Sequence, residues 1–146
     1  MKTISLTLIF VAALLLANPA MARNDVLTLP LNNLLNSADA EQALLDVPLY
    51  FSGQTTPTIT HRREVTVSRK TNAFNKSDTE ACEWVMLGAL KALQESAQKG
   101  GYDAVANIKS NYQHNEFASS DEYQCGAGTF VAGAALKADL VKFEKN

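Results

Sequence analysis

The glycines of the stretch EYQCGAGTFVAGAALKAD are the first candidates for chemistry in this sequence. Closely spaced glycines can cradle phosphate, because they let backbone N–H groups approach an anion. Here the spacing misses the dinucleotide-binding pattern by two residues. Gly128 and Gly133 have the spacing of the phosphate-binding loop, but Ala134 and Ala135 stand where lysine and serine or threonine are needed. The pattern therefore disfavours a nucleotide site.

Two cysteines, Cys82 and Cys125, are the next candidates. Cys82 falls in the first turn of a predicted helix, where the helix dipole lowers the pKa of a thiol and favours reactivity. In an oxidising compartment the same exposure favours a disulfide. We predict a Cys82–Cys125 disulfide, and the alternatives are a redox pair, which usually occurs as C-x-x-C, and a metal site.

Metal and hydrolytic sites have little support in the sequence. His61 lies on a predicted strand and His114 in a predicted loop, so neither has a local ligand partner. No serine stands in a nucleophile-elbow motif. We expect a protein that is not an enzyme and that has no cofactor, with His61 and His114 as the weak candidates for metal ligands.

The first 22 residues have the three parts of a secretory signal peptide. Lys2 is followed by an apolar run and then by Ala20-Met21-Ala22, so we predict cleavage after Ala22 and a periplasmic protein. No membrane span is expected after cleavage. Residues 23–146 then carry 12 basic and 15 acidic residues, a formal charge of −3, and an acidic balance does not indicate binding to nucleic acid.

The elements that must position these residues follow from hydrophobic periodicity. Residues 23–57 are predicted to form an N-terminal appendage with a short helix and a short strand. Residues 58–146 are predicted to form the core domain: a strand from Ile59, a helix from Asp78 to Lys99 capped by Ser77, and two more strands. This order predicts an α+β fold, a βαββ core with one long helix packed on a mainly antiparallel sheet.

Two finer predictions concern packing. Apolar residues of the long helix, Trp84 among them, are expected to pack in the core. In the last strand, strict alternation counted back from Phe130 places Cys125 on the face away from the helix that carries Cys82. A disulfide then requires a break in register, and we predict a β-bulge at Gly126-Ala127-Gly128.

Three segments carry a resemblance to known proteins: KTNAFNKSDTEACEW, ALKALQESAQKGGYDAVANIKSNY and EYQCGAGTFVAGAALKADLV. They resemble a family of small exported bacterial proteins of unknown function, many of which are named excinuclease ATPase subunits. This chain has neither the ATP-binding lysine motif nor the zinc cysteines of such a subunit, so the name implies no activity here. More distantly, the chain resembles YbjQ-type heavy-metal-binding domains and RcsF. That resemblance implies a βαββ core and, for YbjQ-type proteins, a homo-oligomer.

We predict that the protein binds an unknown protein or envelope partner, and a role in stress response is one such function. The expected contact surface combines a polar loop, QHNEFASSDEYQ, with an exposed strand face. Its residues are Arg62, Glu64, His114, Asn115 and Glu116. The alternative is a periplasmic metal-binding protein that uses His61, His114 or carboxylates, and metal analysis would separate the two.

Overall fold

The computed structural model describes residues 23–146. The predicted signal peptide, residues 1–22, lies outside the described residues. Within residues 23–146 the elements are β1 (Asp25–Pro30), α1 (Leu31–Leu35), α2 (Ala38–Ala43), β2 (Leu49–Phe51), β3 (Ile59–Asn72), α3 (Asp78–Gly100), β4 (Ala104–Ser110), a 3-10 turn (Tyr112–His114), β5 (Glu122–Ala127) and β6 (Val131–Phe143).

The six strands form one sheet with β6 at its centre. β3 pairs with β6 along nearly its whole length, from Ile59↔Phe143 to Asn72↔Val131. The other side of β6 is shared, because β4 pairs with residues 136–141 and β5 with residues 132–133. β1 lies beside β5, and β2 lies beside β4. Only the β2–β4 pair is parallel within the described sheet, so the sheet is mainly antiparallel, as predicted.

The long helix α3 packs on one face of this sheet, and the α+β prediction is confirmed. Its start is fixed by Ser77, whose hydroxyl accepts a hydrogen bond of 3.1 Å from the backbone N–H of Glu80. Its end is fixed by Gly101, which has a left-handed φ of 71° that suits glycine. Both ends of α3 agree with the helix ends predicted from the sequence. None of the helices within residues 23–146 combines the length and apolar character needed to cross a membrane.

Trp84 does not pack in the core, so that part of the prediction is wrong. Its relative exposure is 55%. The buried stripe of α3 follows the helical spacing through Ala81, Val85, Ala89 and Leu93, and a residue one position before Val85 is turned by about 100° out of that stripe. Trp84 therefore lies on the exposed side of the helix.

Residues 23–57 are built into the sheet rather than appended to it. β1 and β2 are strands of the same sheet as β3–β6, and Leu31, Leu34 and Phe51 belong to the main core cluster. The predicted short helix is present as α2, and Ser37 caps it by accepting a hydrogen bond of 3.1 Å from the backbone N–H of Ala40. β1 and α1 were not predicted. The segment is thus part of the core that supports α3.

Cys82 and Cys125 are joined by a disulfide, which fixes the start of α3 to β5. The predicted bulge beside Cys125 is wrong, because the chain turns back there. β5 ends at Ala127 and β6 begins at Val131, with the backbone N–H of Gly128 donating to the Val131 oxygen at 3.0 Å. Alternation does not carry across a turn between strands, so Cys125 faces α3 without any bulge.

Candidate functional site

The face of the sheet opposite α3, called the open face here, carries the polar residues of β3 and β6. Even-numbered residues of β6 such as Leu136 and Leu140 are buried in the cluster beneath α3. Side chains alternate along a strand, so the odd-numbered residues point to the other face. The register then sets Glu64 beside Asp139 and Thr66 beside Lys137 on this face. The part of the face around these residues is polar, as the alternation in β3 predicts, whereas a small apolar cluster around Val141 lies at one end of it.

Arg62 and Asp139 form the first ion pair of the open face. The Nη1 atom of Arg62 lies 3.0 Å from Oδ2 of Asp139, whose side chain is mostly shielded from solvent. Asn107 Nδ2 lies 3.5 Å from the same oxygen. Asn107 has a positive φ of 51°, and the β4–β6 register shifts between Ala106 and Lys109. The irregularity in β4 therefore directs an amide toward Asp139.

Lys137 connects two residues of the predicted contact surface. Its Nζ atom lies 2.8 Å from Oε1 of Glu116 and 3.6 Å from Oε1 of Glu64. Lys109 adds a second cation, 3.7 Å from Oε2 of Glu116. The hydrogen bond from Lys137 lowers the pKa of the Glu116 carboxyl, and the same bond raises the pKa of the Lys137 ammonium. The loop residue Glu116 and the strand residue Glu64 thus share one lysine.

The loop that carries Glu116 is anchored to the open face by Tyr112. A side chain added at Gly126 would meet the Tyr112 ring at 2.0 Å, and one added at Gly133 would meet it at 3.3 Å. The ring therefore covers both glycines, and its hydroxyl donates a hydrogen bond of 2.8 Å to Oδ1 of Asn24. Gly126 and Gly133, which the sequence offers as candidates for phosphate binding, are instead covered by the ring of Tyr112.

The third glycine of that stretch, Gly128, is required by the turn between β5 and β6. A side chain there would lie 2.8 Å from the Val131 oxygen and 3.0 Å from the Arg23 oxygen. Both are backbone atoms, which cannot rotate away as a side chain can. None of the three glycines is therefore arranged as an anion cradle.

The tip of the loop has a strained backbone. Gln113 and His114 are consecutive residues with positive φ values of 53° and 63°. Few residues other than glycine adopt this conformation, because the side chain crowds the following carbonyl. Both ends of the tip are held, since Tyr112 lies on the sheet and Ser110 and Phe117 exchange backbone hydrogen bonds of 3.0 and 2.8 Å. These contacts therefore hold the backbone of the tip in one conformation.

A cleft of about 470 Å³ separates the loop from the strands beneath it. Tyr112, Gln113 and His114 form one wall, and Thr66 and Lys70 of β3 form part of the other. Its lining comes from strand residues on one side and from the strained tip on the other. A partner that enters the cleft would contact both.

The two histidines are not brought together. His61 pairs in register with Lys142 near the end of β6 and lies 3.0 Å from Oγ1 of Thr60 through its Nδ1 atom. His114 instead borders the cleft beside Leu136. Across residues 23–146, the structure groups no three histidine, cysteine, aspartate or glutamate side chains in a way that could hold a metal ion.

A second cavity, of about 570 Å³, lies beside Trp84 at the start of α3. Its lining includes Ser77, Glu80 and Glu83 but no histidine or cysteine. The Ser77 hydroxyl already caps the helix through the N–H of Glu80.

Of the predicted contact residues, the structure joins Glu64 and Glu116 through Lys137 and sets Arg62 in the neighbouring ion pair. His114 and Asn115 lie exposed at the loop tip. Sequence reasoning missed the roles of Lys137 and Tyr112. The alternation in β6 does place Lys137 on the open face, but no pattern along the chain identifies the lysine that links a loop to a strand. Comparisons of the chain with models of protein families, with curated proteins and with solved structures find no match.

Proposed function

We propose that this chain is an exported, non-enzymatic protein that binds a protein partner of the cell envelope. The partner surface consists of Arg62, Glu64, His114, Asn115 and Glu116, with the cleft beside them. The resemblance to RcsF adds a role in stress response to the proposal. A disulfide in the core supports export, because disulfides persist in oxidising compartments.

The backbone strain at Gln113 and His114 is the observation that carries this proposal. Residues held in the left-handed region each cost on the order of 1–3 kcal/mol, and such residues cluster at functional sites. Glycine would relieve the strain at both positions, yet the chain has glutamine and histidine there. Both side chains are exposed, so packing within the core does not explain them. A partner that contacts the Gln113 and His114 side chains would explain why these residues are present at strained positions.

The charges around the tip support a protein as the partner. Cations and anions alternate across the open face, with Lys137 between Glu64 and Glu116 and with Arg62 beside Asp139. A mixed surface of this kind can select one partner and repel others by charge complementarity. A nucleic acid would instead favour an excess of cations.

Metal binding remains the alternative prediction, but no contact favours it. His61 and His114 lie at different places on the sheet, and neither is near a second imidazole or thiolate ligand among the described residues. A zinc site needs about four ligands that converge on one point. We therefore develop the partner proposal alone.

Replacing Gln113 and His114 together with glycine tests the proposal. Glycine accepts positive φ, so the variant is expected to be at least as stable as the parent protein in thermal unfolding. It removes two exposed side chains from the partner surface. In affinity capture from envelope extracts, we expect it to retain about one tenth or less of the partner that the parent retains, a change of about 1.4 kcal/mol in binding.

The matched control is Gly88→Ala, because Gly88 is exposed on α3 and a side chain there meets nothing within 4 Å. This variant should capture as much partner as the parent. Equal capture by the glycine pair and the parent would contradict the proposal, since the tip would then be an ordinary loop. Loss of capture by Gly88→Ala as well would contradict it too, because the loss in the glycine pair would then not be specific to the tip.

A further inference from the structure

β3 is an edge strand of unusual length, with 14 residues. Among the described residues its ladder partner is β6 alone, so its other edge is unpaired. None of its residues is buried. Strands in globular proteins are usually ~5–6 residues long, and a long free edge is a template for pairing with another chain.

The register shows which backbone groups of β3 point outward. The Ala135 oxygen accepts a hydrogen bond of 2.8 Å from the Asn111 N–H, so the backbone of Ala135 faces away from β3. Its register partner Ser68 must then direct its own N–H and C=O away from β6. Every second residue repeats this direction, which adds Thr66 and Lys70. These three residues direct backbone donors and acceptors outward at the centre of the edge. The Ser68 oxygen also accepts a hydrogen bond of 3.0 Å from Nη1 of Arg69, which an added strand would replace.

The charge of this edge is opposite to that of the rest of the molecule. β3 carries Arg62, Arg63, Arg69 and Lys70 against one acid, Glu64, a net charge of +3. Residues 23–146 together carry −3, from 12 basic and 15 acidic residues. Of these four cations of β3, Arg62 alone has a carboxylate of the described residues within 4.0 Å of its charged group. Arg63, Arg69 and Lys70 therefore have no ion-pair partner among the described residues.

These charges decide between a second copy of the chain and a different occupant. If two β3 edges paired antiparallel about Thr66, Arg62 would lie opposite Lys70 and Arg63 opposite Arg69. Like charges directly opposite each other destabilise a strand pair, and in any register two edges of +3 would be brought together. An acidic strand would place a carboxylate opposite each cation.

We propose that the free edge of β3 binds an extended acidic segment of a partner protein by strand addition. The backbone of Thr66, Ser68 and Lys70 supplies the hydrogen bonds, and the four cations supply selectivity. The cations lie toward the two ends of the strand, with Val65 and Val67 between them on the face that carries α3. The expected ligand therefore has acidic residues at both ends and β-branched residues in the middle. This inference rests on the proposed binding role and adds a second contact beside the cleft.

A synthetic peptide tests the edge directly. The probe is a roughly ten-residue peptide with alternating valine and threonine in its centre and two acidic residues at each end. Its counterpart has lysine in place of each acid. We expect the acidic peptide to bind the processed protein about tenfold or more tightly than its counterpart, as measured by fluorescence anisotropy. The amide N–H groups of Thr66, Ser68 and Lys70 should become protected from hydrogen exchange when it binds.

Two pairs of variants separate the edge from other surfaces. Ser68→Pro removes an outward N–H without removing a ladder bond to β6 and should abolish binding, whereas Ser68→Ala should retain it. Arg69→Glu should weaken binding about tenfold, and Lys91→Glu, the same charge change on α3, should not. Equal binding by Ser68→Pro and Ser68→Ala, or by the two peptides, would overturn the inference. A dimer of the processed protein that Ser68→Pro dissociates would do so too.

The outcome does not depend on the loop tip. Capture that is lost in the glycine pair but kept in Ser68→Pro would leave the proposed function standing while removing the edge from it. If the acidic peptide binds but capture does not depend on the tip, the inference about the edge would stand and the proposed function of the tip would fail. The two proposals can therefore fail separately.

Discussion

Replacing Cys82 and Cys125 together with alanine is expected to lower the free energy of unfolding by about 4 kcal/mol, if the disulfide acts by restricting the unfolded chain. The bond joins residues separated by 43 positions, and a loop of that length gains considerable freedom when it is released. Total stabilities of single domains are ~5–15 kcal/mol, so the loss is a large fraction. Urea unfolding at equilibrium measures it.

Reductant provides the control for this prediction. It should destabilise the parent protein by a similar amount and leave the alanine variant unchanged, since that variant has no bond to reduce. Alkylation without reductant, followed by mass spectrometry, should find no free thiol in the parent. Two alkylated cysteines, or a variant as stable as the parent, would contradict the disulfide.

The second large effect is expected at Gln94, a buried amide of α3 with a relative exposure of 1%. Its Oε1 atom accepts a hydrogen bond of 2.8 Å from the Leu45 N–H. Its Nε2 atom donates to the oxygens of Leu45 and Val47 at 2.9 and 2.8 Å. All three bonds run to the segment between α2 and β2. One buried side chain therefore bonds three backbone groups of a partly buried connection.

Gln94→Ala is expected to destabilise the protein by roughly 3 kcal/mol, because three backbone groups that are buried or partly buried lose their hydrogen-bond partner. Urea unfolding again gives the value. Gln98→Ala is the matched control, since Gln98 is the same residue type in the same helix but is exposed, and it should change stability by less than about 0.5 kcal/mol. Equal effects at positions 94 and 98 would mean that the three hydrogen bonds contribute nothing.

The sequence predicts α3 well because its signals are local. Ser77 and Gly101 mark the two ends, and helical spacing marks the buried stripe. Trp84 was assigned to the core from its residue type rather than from its angle around the helix. The disulfide is predictable from the cysteine count together with the predicted signal peptide, because export would bring the two cysteines into an oxidising compartment.

Features that depend on distant residues could not be predicted. β1 has few β-branched residues and forms a strand because β5 supplies its partner. Counting alternation back from Phe130 predicts a bulge at Gly128 instead of the turn, because the count assumes one continuous strand. The packing of Tyr112 on Gly126 and Gly133 brings together the 3-10 turn, β5 and β6, and no spacing along the chain predicts this contact. The same holds for the lysine that links Glu64 to Glu116.

Contact between the loop tip and a partner is the central claim, and site-specific photocrosslinking in cells tests it most directly. A photoreactive amino acid replaces His114 in one strain and Glu95, which is exposed on α3, in another. We predict a discrete covalent adduct from position 114 that position 95 does not give. The same adduct from both positions, or no adduct from position 114, would contradict the claim.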